Sequence, residues 1–155
     1  MKLLKMDSPI GILTLLGSDT HLHEIRFGDA GVPASPEPGA VLLQAKAELE
    51  EYFSGKRTCF FVPLLPQRGT DFQRKCWDAL NTVPYGCTIT YGQLAALAGF
   101  PGAARAAGGA CHVNPIPIIV PCHRVIAAGG KIGGFAGGLA IKNALLALER
   151  QYGEN

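Results

Sequence analysis

Between Ile118 and Ile126 an apolar, β-branched run is interrupted by three ionisable residues, Cys122-His123-Arg124. A run of this composition predicts a buried strand, and ionisable side chains are costly there unless they are paired or used. Any fold the chain adopts must therefore accommodate a thiol, an imidazole and a guanidinium at one buried place. The thiolate is the reactive form of cysteine, and a neighbouring His or Arg lowers the cost of its charge. One reading is a soft nucleophile held in a dry pocket between two bases. The other is a structural cysteine beside a satisfied core histidine.

The chain has 155 residues, enough for one domain or for two small lobes sharing a core. Its five cysteines, Cys59, Cys76, Cys87, Cys111 and Cys122, are odd in number and lack CxxC spacing. That argues against a disulfide framework or a zinc knuckle and fits a reducing cytosol. The longest apolar stretch, Ile116 to Val120, is too short to span a bilayer, and the N-terminus lacks a signal-peptide core. No membrane partner is expected. Residues 1–70 carry seven Lys/Arg against eight Asp/Glu, whereas residues 71–155 carry seven against four. Any contact with nucleic acid is thus expected in the C-terminal half.

Periodicity predicts strands over Ile10–Leu16 and Leu22–Phe27, a proline- and glycine-rich loop over Gly28–Gly39, an amphipathic helix over residues 40–53 and a third strand over Cys59–Val62. Pro63 to Gly69 reads as a connector, dividing the chain into lobes 1–68 and 69–155. In the second lobe Thr70 or Asp71 caps a helix running to about Thr82. A short helix, Tyr91 to Ala98, and a second, Ala103 to about His112, are joined by Gly99-Phe100-Pro101-Gly102. This is a helix-turn-helix outline. A last helix runs from Leu139 to Gln151, with Leu139, Leu145, Leu146 and Leu148 available to the core.

The second helix of the pair, Ala103-Ala104-Arg105-Ala106-Ala107-Gly108-Gly109-Ala110, has one arginine and almost no other side chain. It suits either tight internal packing or a smooth surface that approaches a shallow groove closely. In the second case it would bind DNA with little sequence preference and use Arg105 as a wedge where a base has left the stack. The segment Ala127 to Gly138 holds six glycines in twelve residues, as expected of a loop fitted around a ligand by its backbone.

Several linked pieces now stand in order: Thr90-Tyr91-Gly92-Gln93-Leu94-Ala95, Pro101-Gly102-Ala103-Ala104-Arg105-Ala106, Asn114-Pro115-Ile116-Pro117, Val120-Pro121-Cys122-His123-Arg124-Val125, Gly137-Gly138-Leu139, Lys142 and Glu149. Over about residues 70–150 this series resembles the O6-alkylguanine–DNA alkyltransferase family, and residues 1–68 match its N-terminal lobe loosely. The resemblance implies an α+β fold, with a small RNase H-like sheet-and-helix lobe followed by a winged helix-turn-helix alkyltransferase domain. It implies irreversible, stoichiometric transfer of the alkyl group from O6-alkylguanine, and from O4-alkylthymine, to Cys122. The partner would be double-stranded DNA containing the lesion, bound through the minor groove with base flipping. The protein would be a cytoplasmic, bacterial-type monomer needing no metal or organic cofactor.

The same resemblance assigns roles. Neighbours on a strand face opposite ways, so either the chain turns sharply at Pro121-Cys122 or a water bridges Cys122 and His123; the resemblance implies the water, with Glu149 orienting the imidazole. Tyr91 would protonate the departing guanine, and Asn114 would tie down the turn that presents Cys122. Arg105, with Ala103, Ala104, Ala106 and Gly108, would meet DNA. Arg124, Val125, Phe135, Ala136, Gly137 and Lys142 would contribute to substrate or DNA binding. Phe135 stands where tyrosine is frequent and Ala136 where serine can occur, which implies an altered substrate range. His21 and His23 lack cysteine partners, so no zinc site is expected. Two alternatives stay open: a thiol hydrolase built on Cys-His-Glu, and a non-catalytic lesion-binding module.

Overall fold

A computed structural model describes residues 1–131, 133–135 and 137–153. The chain divides into two compact units, Met1–Arg68 and Gly69–Asn155, both mixing helix and sheet or strand ladder.

In the first unit, strands β1 (Lys2–Met6), β2 (Leu13–Gly17) and β3 (Leu22–Phe27) form an antiparallel sheet in the order β1-β2-β3. Helix α1 (Ala40–Phe53) packs on it through Val41, Leu42, Ala45, Leu49 and Tyr52. The sequence reading placed α1 within these bounds but missed β1, whose short Lys-Leu-Leu-Lys-Met pattern gives neither clean alternation nor a long run. The strand expected over Cys59–Val62 is absent. There the backbone N–H groups of Phe61 and Val62 donate to the buried carboxylate of Glu48, at 2.9 and 3.1 Å. A side chain from α1 has taken the place of a neighbouring strand. His23 is likewise satisfied, its Nδ1 lying 2.7 Å from the Leu65 carbonyl.

The second unit begins with α2 (Asp71–Leu80) and continues through β4 (Ile89–Thr90), α3 (Tyr91–Leu97) and α4 (Ala104–His112) to β5 (Val125–Ile126) and α5 (Leu139–Gly153). Strands β4 and β5 pair in parallel, Ile89 with Val125 and Thr90 with Ile126. Both α2 and α3 open with a capping box: Thr70 with Gln73, and Thr90 with Gln93. Each threonine accepts from the N3 backbone while the N3 glutamine accepts from the threonine N–H. The core of this unit gathers Cys76, Trp77, Leu80, Leu94, Ala107, Ala110, Ile116, Ile118 and Leu145. Trp77 anchors α2 to α4 by donating from Nε1 to the Ala110 carbonyl at 2.9 Å. Leu139, expected in the core, is 52% exposed because it opens α5 at the end of the glycine-rich loop. No helix among the described residues is long and apolar enough to cross a membrane.

The Thr90 cap sets where α3 starts, and so where Tyr91 sits. Thr90→Ala is expected to lower unfolding stability by about 1 kcal/mol, read as a reduced urea midpoint with unchanged slope.

Candidate active site

The run from Ile118 to Ile126 is not a strand. Two tight turns and a single 3₁₀ turn replace it, leaving only Val125–Ile126 extended. Ile118 has φ 74°, and the Ile119 N–H donates to the Pro117 carbonyl at 2.9 Å across it. A positive φ is rare for a β-branched residue and costs roughly 1–3 kcal/mol. Pro121, at φ −83° and ψ 64°, makes an inverse γ-turn closed by the Cys122 N–H on the Val120 carbonyl at 2.8 Å. Asn114 braces both: its Nδ2 donates to the Val120 carbonyl at 2.9 Å and its Oδ1 accepts from the Ile116 N–H at 3.0 Å. These turns deliver Cys122 to the first position of the 3₁₀ turn Cys122–Arg124. At about three residues per turn, Cys122, His123 and Arg124 fan outward instead of alternating.

Glu149 of α5, with 1% of its surface exposed, organises that fan. His123 Nε2 lies 2.6 Å from Glu149 Oε2. Arg124 grips the same carboxylate with both arms of its fork, Nε to Oε1 at 2.8 Å and Nη2 to Oε2 at 3.0 Å, and sends Nη1 to the Val83 carbonyl at 2.8 Å. The Gly86 N–H adds a fourth donor at 3.1 Å. Burial alone would raise the carboxyl's affinity for protons, but the bonds and charges of His123 and Arg124 outweigh it and bring its pKa down to about 2. The ionised carboxylate can only accept, so the imidazole proton resides on Nε2. Nδ1 is then an acceptor, buried and with no hydrogen-bond partner among the described residues. Burial also lowers the His123 pKa, against the pull of Glu149, and keeps the ring neutral.

Cys122 is 5% exposed and lines a cavity of about 240 Å³ with Tyr91, Gly108, Cys111, His112, Gly134 and Phe135. That volume lies below the usual range for drug-sized ligands, about 300–1,000 Å³, and suits one small group. Burial pushes the thiol up to about 11, although Asn114 and the charge of Lys142 both favour the thiolate. The resting sulfur is therefore inert without a base to take its proton.

The expected site residues separate into groups. Cys122, His123, Glu149 and Asn114 converge as described, and Tyr91 forms the cavity wall, its ring 3.7 Å from where a Cβ on Gly108 would stand. Arg105 and Ala106 are exposed on α4, Ala103 and Ala104 half-buried at its start. Phe135 lines the cavity, and its carbonyl accepts from the Gly138 N–H at 3.0 Å across Gly137. Ala136 lies outside the described residues. Arg124 and Lys142 correct the sequence reading, because neither is free to meet DNA. Arg124 is 6% exposed and spent on Glu149 and Val83, and Lys142 is fully buried. The Lys142 Nζ donates to the carbonyls of Val125 at 2.6 Å and Gly134 at 3.1 Å. Cys111 and His112 were missed. Their spacing of three and four from Gly108 places all three on one face of α4, a signal the sequence did contain. Among the described residues, no group of three or more His, Cys, Asp or Glu could hold a metal ion.

Fold and site together define a protein that sets a buried cysteine, next in the chain to a carboxylate-held histidine, in the wall of a cavity that both helices of a helix-turn-helix help to line. Two family models match the chain: the 6-O-methylguanine DNA methyltransferase ribonuclease-like domain over residues 1–66 and the DNA binding domain of the same enzyme over residues 71–151. A methylated-DNA–protein-cysteine methyltransferase of Mycolicibacterium paratuberculosis is 48% identical over 151 residues, covering 95% of this chain and 91% of its own. The human protein of that name is 43% identical over 166 residues, covering 96% and 80%. A crystal structure of Mycobacterium tuberculosis OGT in complex with DNA superposes with a TM-score of 0.86 at 49% identity, covering 96% of this chain and 92% of that one. The chain belongs to the 6-O-methylguanine DNA methyltransferase family.

The Glu149–His123 pair makes the fold acid-sensitive. Both groups hold protons less readily folded than unfolded, so the unfolded chain binds more protons as pH falls, and stability falls with it. The loss starts below the ordinary histidine pKa of about 6.5 and continues from about 4.5 to about 2 as the carboxylate is titrated. Urea midpoints followed by the fluorescence of the single tryptophan, Trp77, should decline over that interval, and Glu149→Gln should flatten its lower part.

Proposed function

We propose that the chain repairs alkylated DNA by moving the alkyl group from guanine O6 onto Cys122, in one irreversible event per molecule. The observation that carries the reading is the orphaned Nδ1 of His123, whose other nitrogen is committed to Glu149. A water at Nδ1 would relay the thiol proton to the imidazole, and Glu149 would stabilise the imidazolium that forms. The thiolate attacks the alkyl carbon in line, the S–C bond forms as the C–O6 bond breaks, and the electron pair stays on guanine. Tyr91 protonates the base at a ring nitrogen, and the proton held by His123 returns to the phenol through solvent. Burial raises the Tyr91 pKa, so this proton moves only once charge has developed on the base. A thioether has no ready leaving path, which makes the event final. None of these steps calls on a metal or an organic cofactor.

The size of the cavity supports a flipped base as its occupant. The α4 surface supports an approach along the minor groove, with Arg105 filling the vacated stack and the small residues Ala104, Ala106 and Gly109 permitting close contact. O4-alkylthymine presents the same alkyl–oxygen bond and is proposed as a second substrate. The acting form would be a cytoplasmic monomer.

Intact-mass measurement after incubation with duplex DNA bearing O6-methylguanine or O4-methylthymine should show a gain of one methyl on Cys122 and no second turnover. Release of product without an adduct would favour a thiol hydrolase, and binding with no transfer would favour a lesion-binding module. Cys122→Ala should abolish transfer while retaining affinity for duplex. For Arg105→Ala, fluorescence of 2-aminopurine placed at the lesion site should report impaired flipping with little loss on undamaged duplex. Equal loss in both assays would exclude the wedge.

A further inference from the structure

Lys142 occupies a place that physical chemistry disfavours twice. It is fully buried, which costs a charged group its hydration, and it lies in the first turn of α5, where the helix dipole repels a cation. What it gains is specific. Its ammonium has three protons, and two go to carbonyls from different segments: Val125, in the strand after the nucleophile turn, and Gly134, in the glycine-rich loop. Gly134 lines the cavity beside Cys122, and its carbonyl lies 3.5 Å from the Tyr91 hydroxyl. The ammonium itself sits 5.9 Å from the centroid of the Tyr91 ring. One buried cation therefore joins the loop, the strand and the proposed proton donor.

The geometry points to Lys142 as a positioning residue that straps the glycine-rich loop to β5 and so fixes the cavity wall that Gly134 shares with Cys122. The inference rests on Cys122 being the alkyl acceptor. The loop needs such a strap. Gly129, Gly130, Gly133 and Gly138 all have positive φ, and glycine resists ordering more than any other residue. Gly133 itself cannot be replaced to stiffen it, because an added Cβ would stand 2.9 Å from the Tyr91 hydroxyl oxygen. The charge also acts directly: Lys142 favours the Cys122 thiolate, and Cys122 in turn favours the protonated lysine against the burial that opposes it.

Lys142→Met is close in shape and removes the charge together with both hydrogen bonds, and Lys142→Arg keeps the charge. With duplex bearing O6-methylguanine, Lys142→Met should slow single-turnover transfer by on the order of 100-fold without weakening binding to undamaged duplex. Two readouts are independent of DNA chemistry. Iodoacetamide should modify Cys122 more slowly in Lys142→Met than in wild type at a fixed alkaline pH, with Lys142→Arg near wild type. Trypsin should cut after Lys131 faster in Lys142→Met. A loss of duplex affinity at unchanged transfer rate would make Lys142 a DNA contact and overturn the proposal. So would equal slowing of the iodoacetamide reaction in both variants, which would signal lost packing and not lost charge. If wild type itself takes no methyl from DNA, the repair reading fails, while the iodoacetamide and trypsin results still decide the strap.

Discussion

The Glu149 carboxylate is the interaction on which the second unit depends. It binds α5 to the 3₁₀ turn through His123 and Arg124 and to the Pro84–Gly86 turn through a backbone N–H. A buried ion pair is weak evidence of stability, since desolvation offsets most of its Coulombic gain. Here the electrostatic environment of the imidazole is the better account. Burial, Arg124 and Lys142 all drive His123 toward the neutral form, and Glu149 alone pulls the other way. The ring ends neutral yet next to a carboxylate that would welcome a proton on it. That is the condition a base needs if it must accept a proton only during reaction.

Local signals were legible in the sequence and long-range ones were not. The start of α2 was legible at Thr70 or Asp71 because capping is a short-range exchange of hydrogen bonds, and the structure gives the cap to Thr70. The span of α1 followed from its apolar spacing. The stretch over Ile118–Ile126 misled because a β-branched run looks alike whether paired in a sheet or packed in a compact turn, and the decision lay with Asn114 and Pro121. Glu149 showed nothing locally, since its partners lie 25 and 26 residues away. Arg124 and Lys142 added to a positive balance that pointed toward DNA. Both are internal, which leaves Arg105 as the exposed arginine on α4. The motif set these residues in order along the chain but not the directions in which they face.

Helix α4 shows how little side chain can satisfy two faces. Ala107, Ala110 and Cys111 are buried, and the Trp77 bond to Ala110 requires a near approach to the α4 backbone. Gly108 lets the Tyr91 ring lie against the helix. Gly109 has no neighbour within 4 Å of a notional Cβ, so packing within this unit does not require a glycine there. Two glycines inside a nine-residue helix cost roughly 1 kcal/mol each relative to alanine. For Gly108 the cavity supplies the reason. Gly109 is exposed beside Arg105 and Ala106, and nothing in the structure explains a glycine there.

The strained turn and the saturated carboxylate solve one geometric problem from opposite ends. A strand would have set Cys122 and His123 on opposite faces, and a long helix would have buried the sulfur under its own next turn. A single 3₁₀ turn, entered through Ile118 and Pro121, presents the sulfur to the cavity and the imidazole to Glu149 while keeping them adjacent in the chain. The raised pKa of Cys122 follows from that placement, because the depth that creates the cavity also removes water from the thiol. Under the proposed transfer, in which the nucleophile is consumed by one reaction, this placement is an advantage. The sulfur stays protonated toward stray electrophiles, and it faces a cavity that it shares with Tyr91, Gly108 and His112.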